Sequence, residues 1–200
     1  MTSGDEWAAA AAGWDDEPAV RAYAAAAFES LGPILERHAV RLDGAHVCDF
    51  GCGTGLLTER LVDAGATVDA IDPSTAMLDV LRSKVERRSL AGVTVMHEVR
   101  EWSGEYDLVV CSSVCSFVPD YPATVAELVG RLRSGGVFVQ WDWERSPDDT
   151  DGHGLTRSQV RSTLVSSGLA DIAVGTGFEI VVGDHQMRPL VGHGRRSGDG

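Results

Sequence analysis

Residues 47–61 read VCDFGCGTGLLTERL. A short apolar run meets Asp49, glycines follow at Gly51, Gly53 and Gly55, and the next residues have helical character. This order reads as a strand, a tight turn and a helix N-terminus. Glycine lets a backbone approach a ligand closely, because no side chain stands in the way and positive φ costs it little. The free N–H groups of a first helical turn favour a negatively charged group beside them. The dinucleotide fingerprint places its glycines as G-x-G-x-x-G, and counted from Gly51 the third would fall at Leu56. The spacing therefore departs from that of an NAD site.

Outward from this turn the chain alternates. Residues 56–64 form an amphipathic helix that Gly65 ends, and residues 67–71 a short strand closed by Asp72-Pro73-Ser74. A carboxylate about 20 residues beyond the glycines accepts ribose hydroxyls in nucleotide folds. Asp72 suits that role, and it also suits capping of the helix that begins near Ser74. That helix, residues 74–90, carries Ala76, Met77, Val80, Leu81 and Val85 on one face. Residues 93–99 alternate as a third strand, and the run YDLVVC at 106–111 fits a strand covered on both faces. A helix over 124–132 leads through Ser134-Gly135-Gly136 to a strand at 137–139. Ligands in open α/β sheets bind outside the carboxyl ends of the strands. Trp141, Asp142 and Trp143 in QWDWE are thus candidates to line a substrate pocket, the other reading being that they pack beneath helices. Ahead of the turn, residues 17–41 read as a helical lead-in interrupted at Gly32-Pro33. After it come a helix capped by Thr156 and strands at 172–174, 178–182 and 186–191.

Asp49 with the three alternate glycines, followed by IDPSTAML at 71–78, resembles the first two motifs of class I S-adenosylmethionine-dependent methyltransferases. YDLVVC with SSVCSFVP at 112–119 is similar in pattern to the fourth. The resemblance implies a single doubly wound α/β domain, Rossmann-like, with a seven-stranded, mostly parallel sheet, an antiparallel C-terminal hairpin and helices on both faces. It implies S-adenosyl-L-methionine as cofactor and methyl transfer to a small molecule as activity. The cofactor-binding residues it implies are Asp49, Gly51, Gly53, Gly55, Asp72 on the ribose, Pro73, Met77 near the adenine, and Cys111. Glu98 or Val99 would touch the adenine amino group, although relatives often carry Asp or Asn there. The leading helices of such enzymes help cover the site, which makes Trp14 and Tyr23 candidates to lie over the cofactor. There is no N-P-P-Y or D-P-P-Y string, and Ser116 and Phe117 stand where many small-molecule relatives have a histidine pair.

With 30 acidic against 17 basic residues the net charge is −13, opposite to the basic footprint of a nucleic-acid reader. A small molecule is the expected partner, with no nucleic acid and no membrane. No secretory signal pattern and no membrane-length apolar run is present, so a cytoplasmic location is the expectation. The cysteines fall in two C-x-x-x-C pairs, Cys48 with Cys52 and Cys111 with Cys115. They read as buried strand residues rather than zinc ligands, with a redox pairing of Cys52 and Cys111 left open; no metal is expected. Because the sulfonium already activates the methyl group, a general base is optional; His153, Tyr121, Asp142 and Glu144 are candidates by expected proximity alone. Residues 1–16 read as an N-terminal extension, 17–191 as the methyltransferase domain and 192–200, rich in glycine and charge, as a disordered tail. The alternatives are an NAD-dependent oxidoreductase, which Leu56 and the lack of a Tyr-x-x-x-Lys oppose, and a cofactor-binding regulatory protein without turnover.

Overall fold

The computed structural model describes residues 5–97, 105–149 and 154–198. Helix α1 (Asp5–Ala11) and a 3-10 turn at Trp14–Asp16 lead into α2 (Pro18–His38). There follow β1 (His46–Phe50), α3 (Leu56–Asp63), β2 (Thr67–Ile71), α4 (Thr75–Arg88), β3 (Val93–Met96), β4 (Tyr106–Ser112), α5 (Tyr121–Gly130) and β5 (Leu132–Asp142). The chain closes with α6 (Arg157–Ser166), β6 (Leu169–Thr176), β7 (Ile180–Val182), β8 (His185–Met187) and β9 (Leu190–Arg196). Seven strands form one sheet in the order β3-β2-β1-β4-β5-β9-β6, and β7 pairs with β8 as a separate hairpin. β1 to β5 run parallel, while β9 runs antiparallel to both β5 and β6. This is the Rossmann-like, doubly wound arrangement expected above.

Alternation along each strand builds two cores. Val47, Val68, Leu108, Val110 and Val139 join Leu31, Leu57, Leu61 and Leu81 of the helices on one face. Cys48, Phe50, Val109, Cys111 and Phe138 join Val125, Leu128, Val160 and Leu164 on the other. Both faces are covered, which is why the central strands read as continuous apolar runs.

Three expectations change. The interruption at Gly32-Pro33 does not break α2: both residues lie on its exposed face, while Leu31, Ile34 and Leu35 are buried against the sheet. The hydrogen bond that Pro33 cannot donate is on the side water can serve. The strand expected at 137–139 runs from Leu132, with a register shift against β4 between Tyr106 and Leu108 absorbing the glycine pair. The disordered tail expected from 192 is, as far as Arg196, the strand β9, which lies inside the sheet between β5 and β6. Its glycines are there for close approach: a Cβ on Gly192 would collide with Val160 of α6, and one on Gly194 would crowd Leu169. His193 between them is buried and hydrogen-bonds to His38 of α2, with Nδ1 and Nε2 2.9 Å apart.

Candidate functional site

The turn after β1 is shaped by its neighbours on either side. The N–H groups of Gly51 and Cys52 both donate to the carbonyl of Ile71, at 2.8 and 3.0 Å, which ties the turn to the end of β2. Gly51 takes φ +74°, and a Cβ there would collide with Val114, just beyond β4. Gly53 takes φ +55°, and a Cβ there would meet nothing within 4 Å, so this glycine faces open space. Its N–H donates to Asp72 Oδ2 at 2.9 Å, while Asp72 Oδ1 accepts the N–H of Ser74 at 2.8 Å. Ser74 itself is the N-cap of α4. Asp72 therefore joins the glycine turn to the next helix, and burial raises its carboxyl above the usual range.

Asp49 is the more unusual group. Its Oδ2 accepts a hydrogen bond from Thr58 Oγ1 at 2.6 Å, but its Oδ1 is buried without a hydrogen-bond partner. Burial pushes its carboxyl up to about 7, against the opposing hydrogen bond from Thr58 and helped by the charge of Asp72. An uncompensated buried carboxylate oxygen is costly, so a cationic group placed against it would be strongly favoured.

These residues open onto a cavity of about 390 Å³, a size typical of small-molecule sites. Asp49, Gly51, Gly53 and Thr54 form its floor with Asp72, Pro73 and Met77. Ser112 at the end of β4 and Ser113, Val114 and Phe117 beyond it form one wall; Trp7, Trp14, Val20 and Tyr23 of the leading segment form the cover, with Trp143 and Met187 beside them. Trp7 packs edge-on against Trp14 and Phe117, with ring centroids 5.7 and 5.8 Å apart, and Tyr23 lies against Trp143 and Phe178 at 5.6 and 5.0 Å.

The cover is tied down by Asp15. It accepts a hydrogen bond from Thr54 Oγ1 at 2.5 Å and pairs with Lys84 at 2.7 Å. Lys84, buried on α4, also pairs with Glu59 of α3 at 2.7 Å, and Glu59 in turn with Arg88. A chain of charge thus links the segment that carries Trp14 to the two helices flanking the glycine turn.

Of the expected cofactor residues, Asp49, Gly51, Gly53, Asp72, Pro73 and Met77 meet around this cavity. Gly55 and Cys111 do not line it. Gly55 is where Leu81 of α4 packs down, leaving no room for a Cβ, and Cys111 is fully buried in the opposite core beside Cys115. Cys52 lies in the first core, across the sheet from Cys111, which separates the pair left open above. Glu98, Val99 and His153 lie outside the described residues.

The remaining candidate bases are committed elsewhere. Tyr121 donates to Gln140 Oε1 at 2.7 Å; buried Asp142 accepts the N–H groups of Ser116 and Trp143, both at 3.1 Å; Glu144 pairs with Arg157 at 2.7 Å. None of the three lines the cavity. Trp143 reaches it, but Trp141 turns into the core and donates from Nε1 to Ser30 Oγ. Sequence reasoning missed Trp7, Thr54 and Met187. Only an aromatic residue in an otherwise alanine-rich leader signalled the first. Among the described residues no cluster of three or more His, Cys, Asp or Glu forms a metal site, and no helix is long and apolar enough to cross a membrane.

Residues 48–140 match the family model described as a methyltransferase domain. The chain is 32% identical over 151 residues to the ubiquinone biosynthesis O-methyltransferase of Bordetella avium, covering 70% of this chain and 59% of that protein. It is 34% identical over 110 residues to the enzyme of the same name from Acinetobacter baylyi, covering 52% and 46% respectively. The chain thus spans about half the length of these curated relatives. Among solved structures it is similar to the magnesium protoporphyrin IX methyltransferase of Synechocystis PCC 6803 with bound SAM. That match has a TM-score of 0.67 at 23% identity over 85% of this chain and 78% of that one.

Proposed function

We propose, from the premise that this chain carries a methyltransferase domain of the class I, S-adenosylmethionine-dependent family, that it transfers a methyl group from that cofactor to a small-molecule acceptor. The observation that carries the reading is Asp49: a buried carboxylate with one oxygen unpartnered, in the floor of the cavity beside the glycine turn. A cofactor with an ammonium group, ribose hydroxyls and a flat base suits that donor set. In this reading the free Asp49 oxygen receives the ammonium group, whose charge replaces the missing partner. Asp72 accepts ribose hydroxyls with the lone pairs that Gly53 and Ser74 leave over, and Pro73 and Met77 flank the base. The open space at Gly53 admits the cofactor against the backbone.

When bound, S-adenosylmethionine supplies an activated methyl group: an acceptor lone pair forms the new bond to carbon as the carbon–sulfur bond breaks, sulfur keeps that electron pair, and the acceptor's proton leaves to water. The chain's part is then alignment and exclusion of water, which the aromatic cover over the cavity serves. The names of the curated relatives favour an oxygen acceptor. A cytoplasmic location fits the same reading. Calorimetric titration with S-adenosylmethionine and with its demethylated product should give heat of binding for both and none for NAD. Silence for both would overturn the proposal.

A further inference from the structure

Two hydroxyls in the cavity have no use in the cofactor reading. Tyr23 Oη and Ser113 Oγ are each buried without a hydrogen-bond partner, and both residues line the cavity. They come from different elements, α2 and the residue after β4, yet the Tyr23 hydroxyl stands beside those of Ser112 and Ser113. Ser113 is held in the left-handed region, at φ +55°, while its N–H donates to the carbonyl of Trp141 at 2.8 Å. Non-glycine residues held in that region cost on the order of 1 kcal/mol and tend to cluster at functional sites. Tyr23 is only 9% exposed, so its hydroxyl has no ready access to water.

Around this pair the walls carry no positive charge. Among the described lining residues there is no Lys, Arg or His, and the only ionisable carboxylates are Asp49 and Asp72. An anionic acceptor would meet two carboxylates and no partner. Trp7 packs edge-on against Trp14 and Phe117, and Tyr23 lies tilted against Trp143, so the rings are spent on one another as apolar walls rather than set as the cage of ring faces that binds a quaternary cation.

The geometry points to a planar, uncharged acceptor bearing a hydroxyl group, whose oxygen is held by the Tyr23 and Ser113 hydroxyls while its ring lies against the aromatic cover. This rests on the methyl-transfer reading. The acceptor oxygen attacks the methyl carbon, the carbon–sulfur bond breaks with its electrons kept by sulfur, and the hydroxyl proton passes to solvent. Burial holds the Tyr23 hydroxyl well above its ordinary pKa, so Tyr23 acts as a hydrogen-bond donor that positions the oxygen and not as a base.

The test uses the full chain with 2-naphthol, 2-naphthoate and naphthalene as probes, each titrated in the presence of S-adenosylhomocysteine, with methyl ether formation followed by mass spectrometry when S-adenosylmethionine is supplied. 2-Naphthol should bind most tightly and be the only one methylated. Tyr23→Phe and Ser113→Gly should each lower its affinity about tenfold, the equivalent of one net hydrogen bond, with affinity for S-adenosylhomocysteine unchanged. Tighter binding of 2-naphthoate, or loss of S-adenosylhomocysteine affinity in the two variants, would overturn the assignment, the second result placing the hydroxyls on the cofactor. Unaltered naphthol binding in both variants would overturn it as well. Absence of heat for S-adenosylhomocysteine in the unaltered chain is separately visible and removes the methyl-transfer reading with it.

Discussion

Asp72 and Asp49 make different demands at the residue scale, although both read as acidic positions flanking one turn. Asp72 accepts two backbone N–H groups, so Asp72→Ala removes structure along with any ribose contact. We expect it to cost about 2 kcal/mol of stability, within the range for an unsatisfied buried donor, whereas Asp72→Asn, which keeps one acceptor oxygen, unfolds closer to the parent. Both should bind S-adenosylmethionine more weakly in calorimetry; an unchanged Kd in the Asn variant rules out the ribose role. Asp49 titrates. Its folded carboxyl is raised to about 7, so its contribution to stability is fully present below the unfolded carboxylate range and is lost as pH rises through 7. An ammonium group against it reverses that, since the pair forms only with the ionised carboxylate. Binding at pH 7 should therefore release up to about half a proton. Calorimetry in buffers of different ionisation heats measures this, and a buffer-independent enthalpy would remove the cation from Asp49.

At the scale of elements, the cover over the cavity is joined to the glycine turn through the segment between α1 and α2. The 3-10 turn carrying Trp14 is fixed through Asp15 to Thr54 and Lys84. Lys84 is buried and keeps Glu59 when Asp15 is removed, so Asp15→Asn should leave the domain folded while weakening the latch. A charged hydrogen bond contributes about 1.5–3 kcal/mol, hence the off-rate of S-adenosylhomocysteine should rise roughly ten- to a hundredfold. Stopped-flow displacement reads this directly, and an unchanged off-rate means the cover does not gate the site. The same scale explains the limits of reading the chain. Asp15 precedes the glycine turn by 36 residues or more, and nothing in its neighbourhood distinguishes it from Asp16 or Glu17.

For the molecule as a whole, the decisive element is β9. Because it lies between β5 and β6, a chain ending at residue 191 loses most of an interior strand and should fail to fold, while one ending at 197 should unfold like the parent; circular dichroism with thermal melting separates the two. β9 also carries the histidine contact to α2. His193 is held down to about 4 by burial, with His38 and Arg37 adding to the effect, and His38 is lowered in the same direction by its burial and by Arg37, with Arg195 adding and Asp171 opposing. A depressed histidine contributes stability that is present above about 6.5 and is lost as pH falls towards 4. At pH 5 the loss from His193 is about 2 kcal/mol. Asp49 works in the opposite sense over the same window, so the effect is read as a difference: the Tm drop between pH 7 and pH 5 should be smaller in His193→Gln than in the parent.

The sequence alone determined the order of strand, turn and helix around Gly51, the acidic residue ending β2, and the parallel alternation through Val139. These are local facts, carried by periodicity and by backbone positions that only glycine fills well. The cofactor expectation came through resemblance to the class I methyltransferases: Leu56 breaks the dinucleotide glycine spacing, while Asp49 and Asp72 fall where that resemblance puts its acidic residues. The tertiary structure decided what local pattern cannot carry. Cys111 lies on β4 and Cys52 in the turn after the neighbouring β1, yet Cys111 packs into one core and Cys52 into the other, across the sheet. Gly55 serves Leu81, and the glycines of residues 192–194, which read as a tail, make room for α6 and Leu169. The cavity also draws on Trp7, Tyr23, Ser113, Trp143 and Met187, five positions far apart in the chain. Burial of two unpaired hydroxyls among them is a property of that assembly and of no single segment.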